Sequence, residues 1–207
     1  MPSRNIVREF VSDSYYHIYN RGVEKRVIFT DEQDYTVFLG LLKKYLSGEP
    51  PGKENRHLFK SFQGELSLLA YCLMPSHFHL LFYQSSEKAF AELMCRLCTG
   101  YVMYFNNRHH RIGGLFQGPY RASRIDEDGY LHHISRYIHL NPEDYKNWPY
   151  SSHSVYTGVK KTVWVNTELI LGLFNNDPKE YQEFLDDYVD SKAELAILKH
   201  QLANDLE

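Results

Sequence analysis

The stretch LSLLAYCLMPSHFHLLFY, residues 66–83, decides the fold of this chain. Two apolar runs flank a Met-Pro-Ser joint at 74–76, a pattern typical of two strands connected by a tight turn. Pro75 has no backbone N–H to donate, so it suits the turn and not a central strand position. The stretch therefore predicts a pair of strands at the centre of a sheet.

Two histidines follow the turn, at positions 77 and 79. Because side chains of a strand alternate between faces, His77 and His79 project to one side, while Phe78 and Leu80 project to a core behind. Two neutral imidazoles on one face form part of a divalent-metal site that needs a third ligand. An edge strand with two solvated histidines is the alternative, although unpaired imidazoles are out of place on an otherwise apolar strand.

The composition bounds the class of protein. With 207 residues, 43% of them hydrophobic, the chain is long enough for one domain with an appendage and a substantial core. The start MPSRNIVREF lacks an apolar signal-peptide region, and no apolar run reaches the length of a membrane span. Three cysteines are an odd number in a chain without a secretion signal. These features predict a cytoplasmic protein with reduced thiols and no membrane partner.

Charge is distributed unevenly along the chain. The net charge is −3, but residues 143–207 hold 12 acids and 6 lysines, which leaves +3 on residues 1–142. Five arginines and no acids lie between positions 96 and 124. A basic, aromatic-rich first part followed by an acidic tail is compatible with binding of a polyanion to the first part. A mixed-charge surface explains the pattern nearly as well.

The order of predicted elements gives the fold class. A strand at 14–20, a helix from about 30 to 47, the strand pair, a helix ending near 107, a strand at 120–125 and a helix at 126–141 follow one another. This order predicts an α+β protein in which helices pack on one face of an antiparallel sheet. Three further helices are expected near 166–174, 178–189 and 191–204.

A tyrosine and an amide sit one helical turn apart near the end of the 126–141 helix. Tyr137 and Asn141 share one face of this helix. A metal held by His77, His79 and the Asn141 side-chain oxygen would polarise a scissile phosphate. The Tyr137 hydroxyl would attack that phosphate and form a phosphotyrosine link. The alternative is that Tyr137, one of 17 tyrosines, simply packs a helix on the sheet.

The chain resembles the single-tyrosine HUH transposases, and within them the REP-associated tyrosine transposases. The blocks that carry the resemblance lie in the right order between about residues 14 and 157: Asn20-Arg21-Gly22, YCLMPSHFHLLF, YVMYFNNRHHRIGGLFQG with YRAS, RYIHLNP and WPYSSHSVY. The resemblance implies a ferredoxin-like catalytic domain, here residues 1–157. Residues 158–207 lie beyond the matched blocks, and their composition predicts an acidic helical C-terminal extension.

The same resemblance assigns the site. It implies a Mg²⁺ or Mn²⁺ ion on His77 and His79, Tyr137 as the nucleophile, and Asn141 as the residue that completes the metal site. The implied substrate is single-stranded DNA, often with a hairpin beside the cleavage point. The implied activity is site-specific cleavage and strand transfer, and a homodimer is left open.

Two positions depart from the family pattern, and both concern the site. Ser76 stands where asparagine commonly precedes the first histidine, and Pro119 stands where a basic residue usually contacts phosphate. The arginines of the basic segment are nevertheless expected to neutralise DNA phosphates: Arg108, Arg111, Arg121 and Arg124.

Three other functions are compatible with parts of the sequence. A replication initiator or relaxase-like nickase shares the histidine pair but usually has different flanking blocks. A non-catalytic nucleic-acid-binding relative is disfavoured because the predicted nucleophile and metal ligands are all intact. A structural zinc site is disfavoured because the histidines lack a cysteine partner nearby.

Overall fold

The computed structural model of the chain describes residues 10–48, 60–125 and 131–189. Its strands are β1 (Ser14–Arg21), β2 (Leu66–Met74), β3 (His77–Gln84) and β4 (Arg121–Ile125). Its α-helices are α1 (Glu32–Leu46), α2 (Ala89–Arg108), α3 (Leu131–His139), α4 (His153–Tyr156), α5 (Glu168–Leu171) and α6 (Pro178–Val189). Short 3₁₀ turns lie at Val23–Lys25 and Gly172–Phe174.

The four strands form one antiparallel sheet in the order β2-β3-β1-β4. The chain runs β1-α1-β2-β3-α2-β4, which is the split βαβ arrangement of ferredoxin-like folds. The predicted fold class is therefore confirmed. The two-residue turn between β2 and β3 lies at Pro75 and Ser76, as the sequence indicated.

The two faces of the sheet are covered by different helices. On the first face, alternate residues of β1 and β3 pack with α1 and α2: Tyr16, Ile18, Phe78, Leu80 and Phe82. On the second face, Leu81 of β3 packs with α3 and with C-terminal residues. The predicted one-sided arrangement thus holds for α1 and α2, whereas α3 lies on the opposite face. The reason is that β2 and β3 are apolar at consecutive positions, so both faces require a cover.

The edge of β2 is protected by the segment that follows α3. Backbone hydrogen bonds run from Leu73 N to Tyr150 O and from Ser152 N to Tyr71 O, both at 2.9 Å. The Trp148 indole N–H also donates to Leu73 O at 2.9 Å. A strand edge covered in this way is not available for pairing with another chain.

The described part of the C-terminal extension packs against α3. Tyr181 and Leu185 of α6 are buried in the same cluster as Ile134 and Ile138 of α3. Helices are confirmed within 166–174 and at 178–189, while the predicted third helix, the start of the 126–141 helix and much of the 48–64 loop lie outside the described residues. The domain boundary at 157 stays a prediction. Within the described ranges, no helix is both long and apolar enough to cross a membrane.

Candidate active site

The turn that precedes the two histidines is held by the segment after β1. Pro75 O accepts hydrogen bonds from Ile28 N at 2.8 Å and Phe29 N at 3.1 Å, and Ser76 O accepts one from Gly22 N at 2.8 Å. These bonds join the turn to a second, distant part of the chain. The start of β3, and with it the first histidine, therefore has a fixed position.

The Asn20-Arg21-Gly22 block holds the end of β1 in place beside the site. The Asn20 side chain donates to Gly118 O at 3.0 Å and accepts from Arg21 N at 2.9 Å, which ties the end of β1 to the glycine-rich turn. A Cβ on Gly22 would lie 2.3 Å from Arg26 O, so only glycine fits there. This block therefore supports the site from the side of β1.

His77 lies at the open end of the site. Its Nδ1 is 3.2 Å from Ser76 Oγ, and its Nε2 is 3.2 Å from Asn141 Oδ1. The His77 and His79 rings are 5.1 Å apart and nearly perpendicular. The alternation of β3 thus places both imidazoles on one face, as predicted, and the chain after α3 brings the Asn141 amide to the first of them.

His79 lies deeper in the site and is fully buried. Its Nδ1 is 3.0 Å from Nε2 of His17, a buried histidine on β1, and the two rings stack 5.1 Å apart. Burial lowers the pKa of His17 to about 3, so its imidazole is neutral near pH 7. The sequence prediction did not include His17. The available signal was a histidine at an alternating, inward position of an apolar strand.

Tyr137 lies on α3 directly above the second histidine. Its ring is 5.3 Å from the His79 ring at 79°, and only 3% of the residue is exposed. Burial raises the pKa of the Tyr137 phenol to about 12, although a hydrogen bond with the Asn141 side chain opposes the rise. The structure therefore brings together all four residues that the sequence proposed for the centre of the site.

The donor set is compatible with a divalent cation. Among the described residues, no three His, Cys, Asp or Glu side chains cluster as a metal site. Two imidazoles and the Asn141 amide oxygen nevertheless provide three neutral donors. The 3.2 Å between His77 Nε2 and Asn141 Oδ1 is close to the spacing of two adjacent ligands of one octahedral ion, about 3 Å for bonds of about 2.1 Å. An amide oxygen suits Mg²⁺ or Mn²⁺, and an imidazole also suits softer metals.

A cysteine does lie next to the histidines, contrary to the expectation from sequence. Cys72 on β2 is paired with His79 and faces the same side of the sheet. Burial raises the pKa of its thiol far above the usual value, and Sγ lies 3.8 Å from Met74 Sδ. Because the thiolate is the form that binds metal, a thiol in this setting is a poor ligand.

The helix that carries Tyr137 is held by buried polar contacts on its far side. His139 Nδ1 is 2.7 Å from Tyr181 Oη, and its Nε2 is 2.7 Å from Ser152 Oγ. The Arg136 guanidinium lies between the rings of Phe184 and Tyr188, at 4.2 and 3.7 Å from their centres. These contacts join α3 to α6 and to the segment covering β2, which fixes the orientation of Tyr137.

The four predicted DNA-binding arginines fall into different environments. Arg108 forms ion pairs with Asp31 at 2.6 Å and Asp34 at 2.5 Å, so its charge is already neutralised within the fold. Arg111 donates to the Asn106 side chain at 3.1 Å in the same region. Neither contact directs the guanidinium to the two histidines.

The two arginines of β4 lie on opposite faces of the sheet. Arg121 is paired with Tyr19, which is itself paired with His79, so these side chains form one row on the site face. Arg124 is paired with Tyr16 and lies on the face of α1 and α2. Arg21, to which the sequence prediction gave no DNA-binding role, is paired with His77 and lies on the site face as well.

Comparisons with known proteins agree with this arrangement. A family model described as "Transposase IS200 like" matches residues 10–141. The solved structure of a REP-associated tyrosine transposase bound to a REP hairpin is 14% identical, with a TM-score of 0.53 over 79% of this chain and 92% of that one. A crystal structure of a candidate transposase from Deinococcus radiodurans is 17% identical and covers 67% of this chain and 95% of that one, but its TM-score of 0.39 is too low to argue from.

No curated protein matches the sequence. The first solved structure shows a common fold, and its low identity carries nothing further. The family model is more specific, because it spans well over half of the chain and ends at Asn141, the last residue of the site. This chain therefore belongs to the IS200-like transposase family.

Proposed function

We propose that the protein cleaves and rejoins single-stranded DNA through a covalent link between Tyr137 and a DNA phosphate. The observation that carries the proposal is the placement of α3. It sets the Tyr137 ring 5.3 Å from that of His79, and the chain after it sets the Asn141 side chain 3.2 Å from His77. This geometry supports a proposed nucleophile next to a proposed three-donor cation site.

The proposed reaction balances as a phosphoryl transfer. The Tyr137 oxygen forms a bond to phosphorus and loses its proton, while the bond from phosphorus to one DNA oxygen breaks and that strand end leaves as a hydroxyl. Because the phosphodiester energy is kept in the phosphotyrosine link, a second strand end can attack it and be joined. Cleavage and strand transfer then use one site.

Residues of this chain would perform the positioning and the proton control. His77, His79 and Asn141 would hold the divalent ion, which when bound supplies Lewis acidity toward the scissile phosphate. With a pKa raised to about 12, Tyr137 is a neutral phenol near pH 7 and is a weak nucleophile without an activating charge. Its ring is buried against that of His79, and its hydroxyl forms a hydrogen bond with the Asn141 side chain.

The DNA path is proposed to follow the site face past β1 and β4. Arg21 and Arg121 lie on that face, beside His77 and in the row of His79 respectively. Guanidinium groups in these positions would neutralise phosphates on either side of the cleaved one. The solved relative holds a REP hairpin, which makes a hairpin with a single-stranded flank the substrate to test first.

The experiment is a covalent-adduct assay. The protein is incubated with labelled hairpin DNA and Mg²⁺ or Mn²⁺, and the products are separated on a denaturing gel. We expect a protein–DNA adduct for the wild type, none for Tyr137→Phe, and an unchanged adduct for Tyr83→Phe. Tyr83 is a suitable control because it lies on β3 and its hydroxyl donates to Asp13 at 2.7 Å, outside the site.

The outcomes separate the alternatives. An equal adduct from wild type and Tyr137→Phe would move the nucleophile elsewhere. DNA binding without any adduct would support the non-catalytic relative. A nickase would form the adduct but fail to join a second strand end, so the assay includes an acceptor oligonucleotide. The family match favours strand transfer over nicking alone.

A further inference from the structure

We propose that His17 is a positioning residue that holds His79 in the ring orientation and tautomer needed to bind the metal. The inference rests on the metal site of the proposed function. Its basis is the 3.0 Å contact between His17 Nε2 and His79 Nδ1, which joins two buried residues 62 positions apart in the sequence. Nothing in the local sequence pattern connects these two histidines.

The contact constrains where the protons can be. Two imidazole nitrogens 3.0 Å apart share a hydrogen bond only if one carries a proton and the other offers a lone pair. When Nδ1 of His79 is the donor and His17 Nε2 the acceptor, Nε2 of His79 offers its lone pair to a cation. A metal-binding histidine usually donates its second N–H in this way to an outer partner.

The setting of His17 supports this role. Its ring stacks 5.1 Å from Tyr19 and meets the Tyr137 ring edge-on at 6.0 Å, so its orientation is fixed by aromatic neighbours. His17 is fully buried, and its Nδ1 has no hydrogen-bond partner among the described residues. Burying a polar ring costs free energy, and its packing contacts alone do not offset that cost. The hydrogen bond described for it is directed at His79.

The first histidine is supported in a weaker way. His77 Nδ1 contacts Ser76 Oγ at 3.2 Å, and this partner is the adjacent residue in a partly exposed turn. Water can replace a serine hydroxyl at such a position, whereas it has less access to the buried pair of His17 and His79. The two ligands are therefore expected to differ in their sensitivity to the loss of the outer partner.

The test measures Mn²⁺ affinity of the full-length protein without DNA, by electron paramagnetic resonance titration. His17→Phe keeps a flat ring but removes the acceptor, and we expect affinity to fall roughly 10- to 100-fold. His17→Gln places an amide oxygen near the position of Nε2 and should recover most of that loss. Ser76→Ala should cost only about threefold or less, below the usual range for an outer partner, because water can replace the hydroxyl.

A buried histidine outside the site provides the matched control. His153 bonds to Gln182 at 2.9 Å on the α6 side of α3, so His153→Phe should leave Mn²⁺ affinity unchanged. Thermal melting without metal checks that each variant is folded. Wild-type affinity in a folded His17→Phe protein, or no recovery in His17→Gln, would overturn the proposal.

A second measurement does not depend on any variant folding. Long-range ¹H–¹⁵N spectra of the Mg²⁺-loaded wild type should show the His79 proton on Nδ1 and a lone pair on Nε2. A proton on Nε2 instead would refute the assignment. A wild type that binds no Mn²⁺ would overturn the metal site and this role together. Normal Mn²⁺ binding with the expected variant pattern but no DNA adduct would overturn the proposed function alone.

Discussion

The two faces of the sheet bury different kinds of side chain. The face beneath α1 and α2 is packed with aliphatic and aromatic side chains, with Phe38, Phe78 and Tyr101 at its centre. The face beneath α3 buries polar residues as well, including His17, His79 and other histidines. Apolar burial stabilises a fold, whereas buried polar groups do so only when they are satisfied. The first face therefore supplies stability, and the second carries the proposed active site.

The face beneath α3 is stabilised by contacts from distant parts of the chain. The His139 imidazole joins α3 to Ser152 and Tyr181 through hydrogen bonds of 2.7 Å. Tyr181 in turn donates to Ser135 at 3.0 Å, which returns the network to α3. A network of this kind is valuable only when every member is satisfied, so it specifies one orientation of the Tyr137 helix.

Neighbouring residues of β3 that face opposite sides of the sheet should respond differently to substitution. His79→Asn keeps a polar group near Nδ1 but removes the nitrogen proposed to bind metal. Loss of several kcal/mol of Lewis-acid stabilisation predicts a fall in DNA cleavage of at least about a thousandfold. Stability should change by less than about 1 kcal/mol, since the contact toward His17 can be kept. Single-turnover cleavage and urea unfolding provide the two readouts; wild-type cleavage would remove His79 from the site.

The reciprocal substitution is Phe78→Ala on the apolar face. Phe78 is fully buried and packs 5.1 Å from Phe38, so its truncation should cost about 3–5 kcal/mol of unfolding free energy. For a domain of this size that corresponds to a fall in Tm of roughly 6–20 °C. At a temperature where the variant is folded, cleavage should stay within a few-fold of wild type. A small change in Tm would show that Phe78 contributes little to the packing of this face.

As the pH falls, the face beneath α3 should lose its contribution to stability at a higher pH than the face beneath α1 and α2. Burial lowers the pKa of His132 to about 4 and also lowers that of His153, although the hydrogen bond that His153 donates to Gln182 opposes the second shift. Both are neutral when folded and bind protons near pH 6.5 when unfolded. Their contribution to stability is therefore complete above pH 6.5 and is lost as the pH falls below it. The loss is at most about 1.4 kcal/mol per pH unit for each histidine, and less for His132 because it is partly exposed.

The apolar face responds at lower pH. Burial favours the protonated form of Asp34, but hydrogen bonds from Thr30, Arg108 and other groups more than offset this and hold its pKa below the usual value. That stability is lost only as the pH falls below about 4. Urea unfolding of metal-free protein at about pH 7.5 and about pH 5 should thus show a decrease that His132→Gln reduces. Constant stability across this range would contradict the prediction.

The two arginines of β4 should differ modestly in their contribution to DNA binding. Arg121→Ala on the site face should weaken binding of single-stranded DNA several-fold and reduce the slope of log K against log salt by about 0.7. Arg124→Ala on the opposite face should leave both quantities unchanged. Fluorescence anisotropy at several salt concentrations measures them. Equal losses from the two variants would place DNA along the edge of β4 and not across the site face.

Local pattern in the sequence was enough to predict much of this molecule. The alternation in residues 66–83 placed His77 and His79 on one face and Phe78 on the other. Helical spacing predicted Asn141 near Tyr137, although α3 ends at His139 and Asn141 lies just beyond it. These features follow from the two-residue period of a strand and the 3.6-residue period of a helix. The order of elements then indicated an α+β antiparallel sheet, and the resemblance of the quoted blocks implied the ferredoxin-like fold and the family.

Only the tertiary structure decided which distant residues meet. It brings His17 into contact with His79 and pairs Arg108 with Asp31 and Asp34. It also places α3 with α6 on the second face of the sheet. Periodicity describes which way a side chain points but not which remote segment arrives opposite it. That choice depends on the packing of the whole chain, because each buried polar group must find a partner that local sequence does not supply.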